Sequence, residues 1–447
     1  MRTALFFLLT LAFPALMHSQ NKAIDFDVNP ENSYIVSQTE QTVDFLVKVK
    51  GNKSEQEYQR TPLNISLVID HSGSMAGEKL EYVKKACNLV LDNLSSEDIV
   101  SIVIYDSNVH ILERSSYLKN KNMLKDRINN ISSGSSTNLS GGLIEGFKQV
   151  KSTFDRNKVN RVLLLSDGLA NQGITDLKKL QELVKSKYLE DGIALSTFGV
   201  GADFNEELMT SIADHGNGNY YFIDSPDNIP HIFKEELEGL LSVVAQNTIL
   251  EFDYPSSYVT IDRSYGYDIK KKNGRSYIDF NDVFSEEEKI VLLRFRKLRE
   301  INRNLNFKFT LAYDDVQKNN KRVIEEREFE LIFTQDPIVY KNSYNKDVVK
   351  YKVIFLSNEQ FDKAAKMADK GQYEDASKQI DKTLKEMKST LKKYDIEVDE
   401  YLEEQMTGQM EYKTVINDME NMSTQEIKMQ QKAQKFMNNN VYKNKRK

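Results

Sequence analysis

The pattern of apolar and polar positions changes character twice along the chain. Between Leu63 and Leu240, short apolar runs alternate with segments whose apolar residues recur every three or four positions. Leu63–Asp70 (LNISLVID), Asp98–Tyr105 (DIVSIVIY), Val159–Ser166 (VNRVLLLS) and Ala194–Val200 are short and almost continuously apolar, as buried strands are. Val109–Glu113 and Tyr220–Ile223 read as two shorter strands. Lys79–Leu94, Lys119–Ile131, Leu139–Phe154, Asp176–Leu189, Asn205–His215 and Ile229–Leu240 carry the helical spacing. Strands alternating with helices predict a doubly wound, mainly parallel sheet covered on both faces, a Rossmann-like α/β fold. Ligands of such sheets bind at the carboxyl ends of the strands.

After Ser242 the alternation stops. Asn247–Tyr254, Tyr258–Arg263, Asp268–Lys272, Arg275–Phe280, Glu288–Lys297, Leu305–Tyr313 and Arg322–Phe333 all read as strands, and Asn273-Gly274 is a tight hairpin signal. Before Leu63 lie two further strand-like runs, Tyr34–Ser37 and Thr42–Val49, the second alternating around Val43, Phe45, Val47 and Val49. These early strands have no partners of their own. The simplest topology joins them to the later sheet, so that the α/β domain is inserted into an antiparallel β-sandwich. From Asn345 the pattern is helical: Ser357–Lys370 and Gln372–Lys393 form a hairpin about Gly371, with Ala364, Ala368, Tyr373 and Ala376 at a small-residue register resembling one tetratricopeptide unit. Met406, Met410, Met419, Met422, Met429 and Met437 follow at helical steps, which favours packing over soft-metal binding. The expected organisation is a leader at 1–20, a β segment at 21–62, the α/β domain at 63–242, the sandwich at 243–340 and a helical region at 341–447.

Charge and composition narrow the function. Lys and Arg number 61 against 67 Asp and Glu, a net charge of −6. A chain with this balance lacks the electrostatic pull on phosphates that nucleic-acid binders use. Residues 1–20 carry Arg2, an apolar run from Ala4 to Met17 and then His18-Ser19-Gln20, the pattern of a cleavable secretory signal. The expected location is therefore the periplasm, the cell surface or the medium. Cys87 is the only cysteine and lies on one helical face with Val83, Ala86, Val90 and Leu91, where it reads as a buried small hydrophobe. The five histidines form no H-E-x-x-H, and there is no G-x-S-x-G elbow or phosphate-cradling G-x-x-x-x-G-K.

One constellation carries chemistry. Asp70-His71-Ser72-Gly73-Ser74 (D-x-S-x-S) stands at the end of the first buried strand. Ser135-Ser136-Thr137-Asn138 leads into a helix and offers a threonine hydroxyl, and Ser166-Asp167-Gly168 ends another buried strand in a second carboxylate. A doubly wound sheet brings these three loops to one edge. Hard oxygen donors, few carboxylates and no His or Cys suit Mg²⁺ or Mn²⁺. The structural alternative is a helix-start turn with Ser72 or Ser74 as cap, which accounts for one loop but not three. His71 reads as an exposed loop-tip residue and Asp106 as a turn residue after the second strand.

D-x-S-x-S followed by a threonine and then by a strand-end aspartate resembles the metal-ion-dependent adhesion site of von Willebrand factor A domains. The resemblance covers about Leu63–Leu240 and extends to Gly199-Val200-Gly201 and Gly216-Asn217-Gly218. It implies that Ser72, Ser74 and Thr137 coordinate through hydroxyls, while Asp70 and Asp167 act mostly through bound waters. Mg²⁺ is the implied ion, with Mn²⁺ or Ca²⁺ as alternatives. The implied partner is a protein that presents Asp or Glu to the metal. The flanking segments look similar to exported bacterial proteins of the calcium-activated chloride channel-like and inter-alpha-trypsin inhibitor-like types. Three functions follow as expectations: a non-enzymatic metal-dependent binding module, an envelope assembly subunit using the helical tail, and, least supported, a hydrolase.

Overall fold

A computed structural model describes residues 22–37, 42–53, 61–201, 203–272, 274–318 and 320–419, with 422, 423, 426, 427, 430 and 431 beyond them. The expected leader at 1–20 and the residues Met429 and Met437 lie outside the described residues.

The chain opens with β1 (Ile24–Pro30), β2 (Tyr34–Ile35) and β3 (Thr42–Gly51). The central unit follows: β4 (Leu63–Asp70), α1 (Glu78–Asn93), β5 (Ile99–Tyr105), β6 (Val109–Tyr117), α2 (Lys121–Asn129), α3 (Leu139–Ser152), β7 (Val159–Ser166), α4 (Leu177–Asp191), β8 (Ala194–Val200), α5 (Glu206–His215), β9 (Asn217–Ile223) and α6 (Ile229–Leu241). Its strands form one sheet in the order β6-β5-β4-β7-β8-β9. All neighbours are parallel except β6, which pairs antiparallel with β5 along the edge. β4, β5, β7 and β8 are buried at every position, which is why their sequences read as continuous apolar runs rather than alternating ones. Alternate residues still face opposite layers. Leu67 and Ile69 pack with α1, α2 and α6, whereas Val68, Val103 and Tyr105 pack with α3, α4 and α5.

β10 (Val243–Asp253), β11 (Val259–Tyr265), β12 (Lys270–Lys272), β13 (Arg275–Phe284), β14 (Glu288–Lys297), β15 (Leu305–Asp315) and β16 (Lys321–Phe333) come next. The early strands pair with these later ones. One sheet is ordered β1-β3-β14-β11 and the other β12-β13-β10-β15-β16-β2. Phe45 of β3 centres the core between them, with ring centroids 4.7 Å from Phe307 and 5.0 Å from Phe309. The α/β unit therefore leaves the sandwich after β3 and returns to it at β10. β1 adds a strand to the early strand-like segment: Ile24, Phe26 and Val28 face inward and alternate with the polar Asp25, Asp27 and Asn29.

The chain ends in α7 (Pro337–Asn342), α8 (Lys346–Ala368), α9 (Tyr373–Lys393) and α10 (Glu400–Asp418). α7 lies against β2, while α8, α9 and α10 share one core with the outer face of the four-stranded sheet through Leu46, Tyr265, Ile290 and Leu292. α8 begins where the pattern turns helical at Asn345, whose side chain caps it by accepting from the N–H groups of Asp347 and Val348, and it runs unbroken into the first helix of the expected hairpin. It is buried between sheet and helices on most sides, so it carries no single apolar stripe. Ala364, Ala368 and Ala376 are buried where α8 meets α9, and Gly371 takes the left-handed conformation of the turn (φ 75°). Met406 and Met419 are buried in this layer while Met410 is exposed.

Candidate functional site

The site is built from strand ends. Asp70 is the last residue of β4 and lies opposite Tyr105, the last of β5. The chain then makes a short 3-10 turn at Gly73–Met75 and enters α1 through Gly77, whose φ of 80° favours glycine. Asp167 follows the end of β7. Thr137 directly precedes Asn138, whose side chain accepts from the Gly141 N–H (3.0 Å) and starts α3. All of these lie at the carboxyl edge of the parallel strands.

Hydrogen bonds join the three loops into one cradle. The Gly73 N–H donates to the Ser135 carbonyl (2.7 Å), and the Gly134 N–H to the His71 carbonyl (2.6 Å). The N–H groups of Asn171 and Gln172 both donate to the Thr137 carbonyl (3.1 Å each), and the Thr137 N–H returns a bond to the Asn171 side-chain oxygen (2.8 Å). Asp70, Ser72, Thr137 and Asp167 are buried, while Ser74 is exposed at the rim. The Ser72 and Ser74 hydroxyls are 3.2 Å apart. Asp70 accepts from the Ser72 N–H (2.9 Å), the Tyr105 hydroxyl (3.2 Å) and the Ser166 hydroxyl (2.6 Å). Asp167 accepts from the Leu169 N–H (3.2 Å) and the Lys79 ammonium (3.1 Å).

The electrostatics favour an added cation. Burial raises the Asp70 carboxyl above its ordinary range, and the Asp167 charge adds to the rise. The hydrogen bonds from Ser166 and Ser72 oppose it without reversing it. Two buried carboxylates and three hydroxyls are a hard, oxygen-only donor set, which fits a small divalent ion that keeps part of its water shell. Among the described residues no group of three or more His, Cys, Asp or Glu is arranged to hold a metal. A metal centre here draws on the hydroxyls as much as on the carboxylates.

One expectation changes and another is extended. His71 is not an exposed loop tip: the loop folds back on the 131–135 segment, burying the ring, and its Nδ1 lies 2.9 Å from the Ser132 carbonyl. Asp106 does turn the chain, accepting from the Asn108 N–H (2.8 Å), but its other oxygen also accepts from the Ser135 N–H (3.3 Å) and so steadies the threonine loop. Tyr105, Ser166, Asn171 and Lys79 join the site without belonging to its sequence motif. The sequence marks Ser166 only as the hydroxyl that closes β7, without naming the carboxylate it serves. It marks Lys79 only as a cation in the first turn of a helix, where the macrodipole disfavours it, without naming its partner.

The match to known families runs along this same segment. The model of the von Willebrand factor type A domain matches residues 64–235. Residues 64–235 are a von Willebrand factor type A domain. Such domains typically mediate protein–protein interaction and metal-dependent binding. YfbK, an uncharacterized protein of Escherichia coli K12, is 33% identical over 226 residues, which cover 50% of this chain and 39% of that one. Inter-alpha-trypsin inhibitor heavy chain H3 of Mesocricetus auratus is 28% identical over 210 residues, 44% of this chain and 23% of the heavy chain. The chain thus spans well under half the length of either relative. Two solved structures share the fold over nearly the whole chain, sandwich and helices included. A von Willebrand factor type A protein from Catenulispora acidiphila superposes with a TM-score of 0.71 at 12% identity, covering 96% of this chain and 99% of its own. The ArnB paralog VWA2 from Sulfolobus acidocaldarius gives 0.60 at 16% identity, covering 93% and 98%.

Proposed function

We propose that this chain is an exported, non-enzymatic binding protein. It holds Mg²⁺, with Mn²⁺ or Ca²⁺ as alternatives, among Asp70, Ser72, Ser74, Thr137 and Asp167. Through that ion it takes an Asp or Glu carboxylate of a protein partner. The observation that carries the reading is the cradle itself: three oxygen-bearing loops hydrogen-bonded into one unit at the carboxyl edge of the sheet. Asp70 and Asp167 sit buried beneath, and Ser74 is exposed at the rim where a partner arrives. When bound, the ion supplies a positive charge with an open coordination position. The protein's part is to hold the donors in place and keep bulk water from the carboxylates.

Binding rather than catalysis is the reading because the sequence carries no H-E-x-x-H, G-x-S-x-G or G-x-x-x-x-G-K motif beside the cradle. Export is supported by the leader-like pattern of residues 1–20. Among the described residues no helix is long and apolar enough to cross a membrane. The assembly-subunit alternative is weaker, since the apolar faces of α8, α9 and α10 already pack on the four-stranded sheet.

Thermal unfolding with and without Mg²⁺ tests the site. A ligand present at a hundred times its Kd stabilises the native state by about 2.7 kcal/mol. The wild type should show such a gain, reversed by chelator, and Asp70→Ala and Ser72→Ala should lose it. Equal responses to Mg²⁺ in wild type and variants would sink the assignment.

A further inference from the structure

Lys79 is the one residue of the cradle whose charge repels a metal ion. It stands in the first turn of α1, at the helix end where a cation is disfavoured. Its ammonium nevertheless reaches across to the loop after β7 and lies 3.1 Å from Asp167, whose side chain is fully buried. The stem of the lysine is accommodated by a third loop. Gly201, at the end of β8, has a φ of 80°, and a Cβ on it would lie 2.6 Å from the Lys79 Cε. Glycine at 201 therefore leaves the passage through which the lysine runs. The Gly201 N–H is fixed to the Ile223 carbonyl (3.2 Å), so the passage is part of the sheet edge rather than a loose loop. An exposed ion pair of this kind contributes little. Here the carboxylate is buried and the lysine side chain keeps only 21% exposure, so solvent screens the charge poorly.

We propose that Lys79 is a built-in cation of the metal site: it stays paired with Asp167, weakens the hold on a bare divalent ion, and leaves the loaded site positively charged towards an acidic ligand. The inference rests on reading the cradle as a divalent-cation site. With a divalent ion, Asp70, Asp167 and Lys79 together, the formal charge is one positive; without Lys79 it is zero. A neutral loaded site attracts a carboxylate only through the open coordination position. A positive one also attracts it at longer range. Lys79 thus trades affinity for the ion against affinity for the partner's acid, and keeps the bare site from holding its ion so tightly that a ligand adds nothing. A lysine suits this role because its ammonium is a compact point charge on a flexible stem.

The full chain carrying Lys79→Met, Lys79→Gln or Lys79→Arg tests this by calorimetric Mg²⁺ titration, by Tb³⁺ luminescence and by thermal unfolding with acetate added at saturating Mg²⁺. Removing the charge should lower the Kd for Mg²⁺ on the order of tenfold. The gain should be larger for trivalent Tb³⁺, because the repulsion scales with ion charge. Lys79→Arg should stay near the wild type. Acetate should stabilise the loaded wild type more than the loaded Met or Gln variant. If the wild type binds Mg²⁺ and the Met and Gln variants bind it equally or more weakly, Lys79 only braces the loop and the inference fails while the site stands. If neither wild type nor variants bind Mg²⁺, the site reading falls and the inference falls with it. Binding that appears only once Lys79 is neutralised supports the inference in its strongest form.

Discussion

The two ends of the central sheet each bury a carboxylate among hydroxyl donors, and the two carboxylates behave in opposite ways. Towards the amino ends of the strands, Glu236 accepts from Arg161 (3.2 Å) and Ser196 (2.6 Å) on one oxygen and from Asn219 (2.8 Å) and Tyr221 (2.9 Å) on the other. Burial alone would raise its carboxyl, but the Arg161 guanidinium and these hydrogen bonds outweigh it and hold Glu236 below the usual range. At the carboxyl ends, Asp70 is as deeply buried and also accepts three hydrogen bonds, yet it is raised, because none of its donors is a cation. One end is complete within the chain and serves as structure. The other buries its carboxylate without a cation among its donors, which leaves room for a positive charge that the chain itself does not supply there.

The amino-end cluster also anchors the inserted domain. Arg161 reaches Asp282 of β13 (3.3 Å) as well as Glu236 of α6, joining the α/β sheet to the sandwich. Arg161→Met should therefore have the largest effect on folding. It leaves Glu236 buried without its cation, a loss of about 3–5 kcal/mol. Chemical denaturation reads that loss, and the Mg²⁺-dependent increment should survive in whatever fraction remains folded. A variant that loses the Mg²⁺ response while keeping its stability would reverse the assignment of the two ends.

Glu236→Gln sharpens the same contrast through pH. A carboxyl held below its ordinary value stabilises the fold above the unfolded-state value, near 4.5 for Glu, and that contribution is lost as pH falls through the folded-state value. Asp44, held low by Arg294 and Lys352 against the opposing effect of burial, adds a second contribution of the same sign. The wild type should lose stability progressively below about pH 4.5. Glu236→Gln should cost about 2 kcal/mol at neutral pH, since it removes a charge-assisted hydrogen bond. Its stability should then vary less between pH 5 and pH 3 than the wild type's. An unchanged acid profile would mean that Glu236 is not the group being protonated.

Much of this was legible in the sequence, and the parts that were not share a cause. The doubly wound sheet was readable because β4, β5, β7 and β8 are apolar at nearly every position and the helices between them keep one stripe. The D-x-S-x-S loop, Thr137 and Asp167 were readable because each directly ends a strand or starts a helix. Lys79, Tyr105 and Ser166 were not, since what each does depends on a neighbour far along the chain: 88 residues for Lys79 and Asp167, 35 for Tyr105 and Asp70, 96 for Ser166 and Asp70. The burial of His71 was hidden for the same reason, because it depends on the 131–135 segment folding over it. Local pattern reports the face a residue occupies. It does not report which partner completes a hydrogen bond across the sheet.

The smallest expected effect makes the sharpest comparison, because the two ends contain matched serines. Ser166 donates to Asp70 at 2.6 Å and accepts from the Gly168 N–H at 2.8 Å. Ser196 donates to Glu236 at 2.6 Å and accepts from the Asn219 N–H at 3.2 Å. Both are fully buried. Ser166→Ala and Ser196→Ala each remove one hydroxyl bond to a buried carboxylate and leave one backbone N–H without its acceptor, a cost of about 1–2 kcal/mol of stability in chelator. Ser196→Ala also removes the acceptor of an Arg161 N–H (3.0 Å) and should cost somewhat more. Their responses to Mg²⁺ should then diverge. Ser196→Ala acts on a cluster that no ion enters, and its Mg²⁺ increment should equal the wild type's. Ser166→Ala leaves the Asp70 oxygen it served held only by the longer bond from the Tyr105 hydroxyl (3.2 Å). The carboxylate is then less firmly aimed at the loops that carry Ser72 and Thr137, and the variant's increment should shrink. Equal increments in the two variants would mean that the Ser166 bond braces the strand end without positioning Asp70, and that the two ends differ in charge alone.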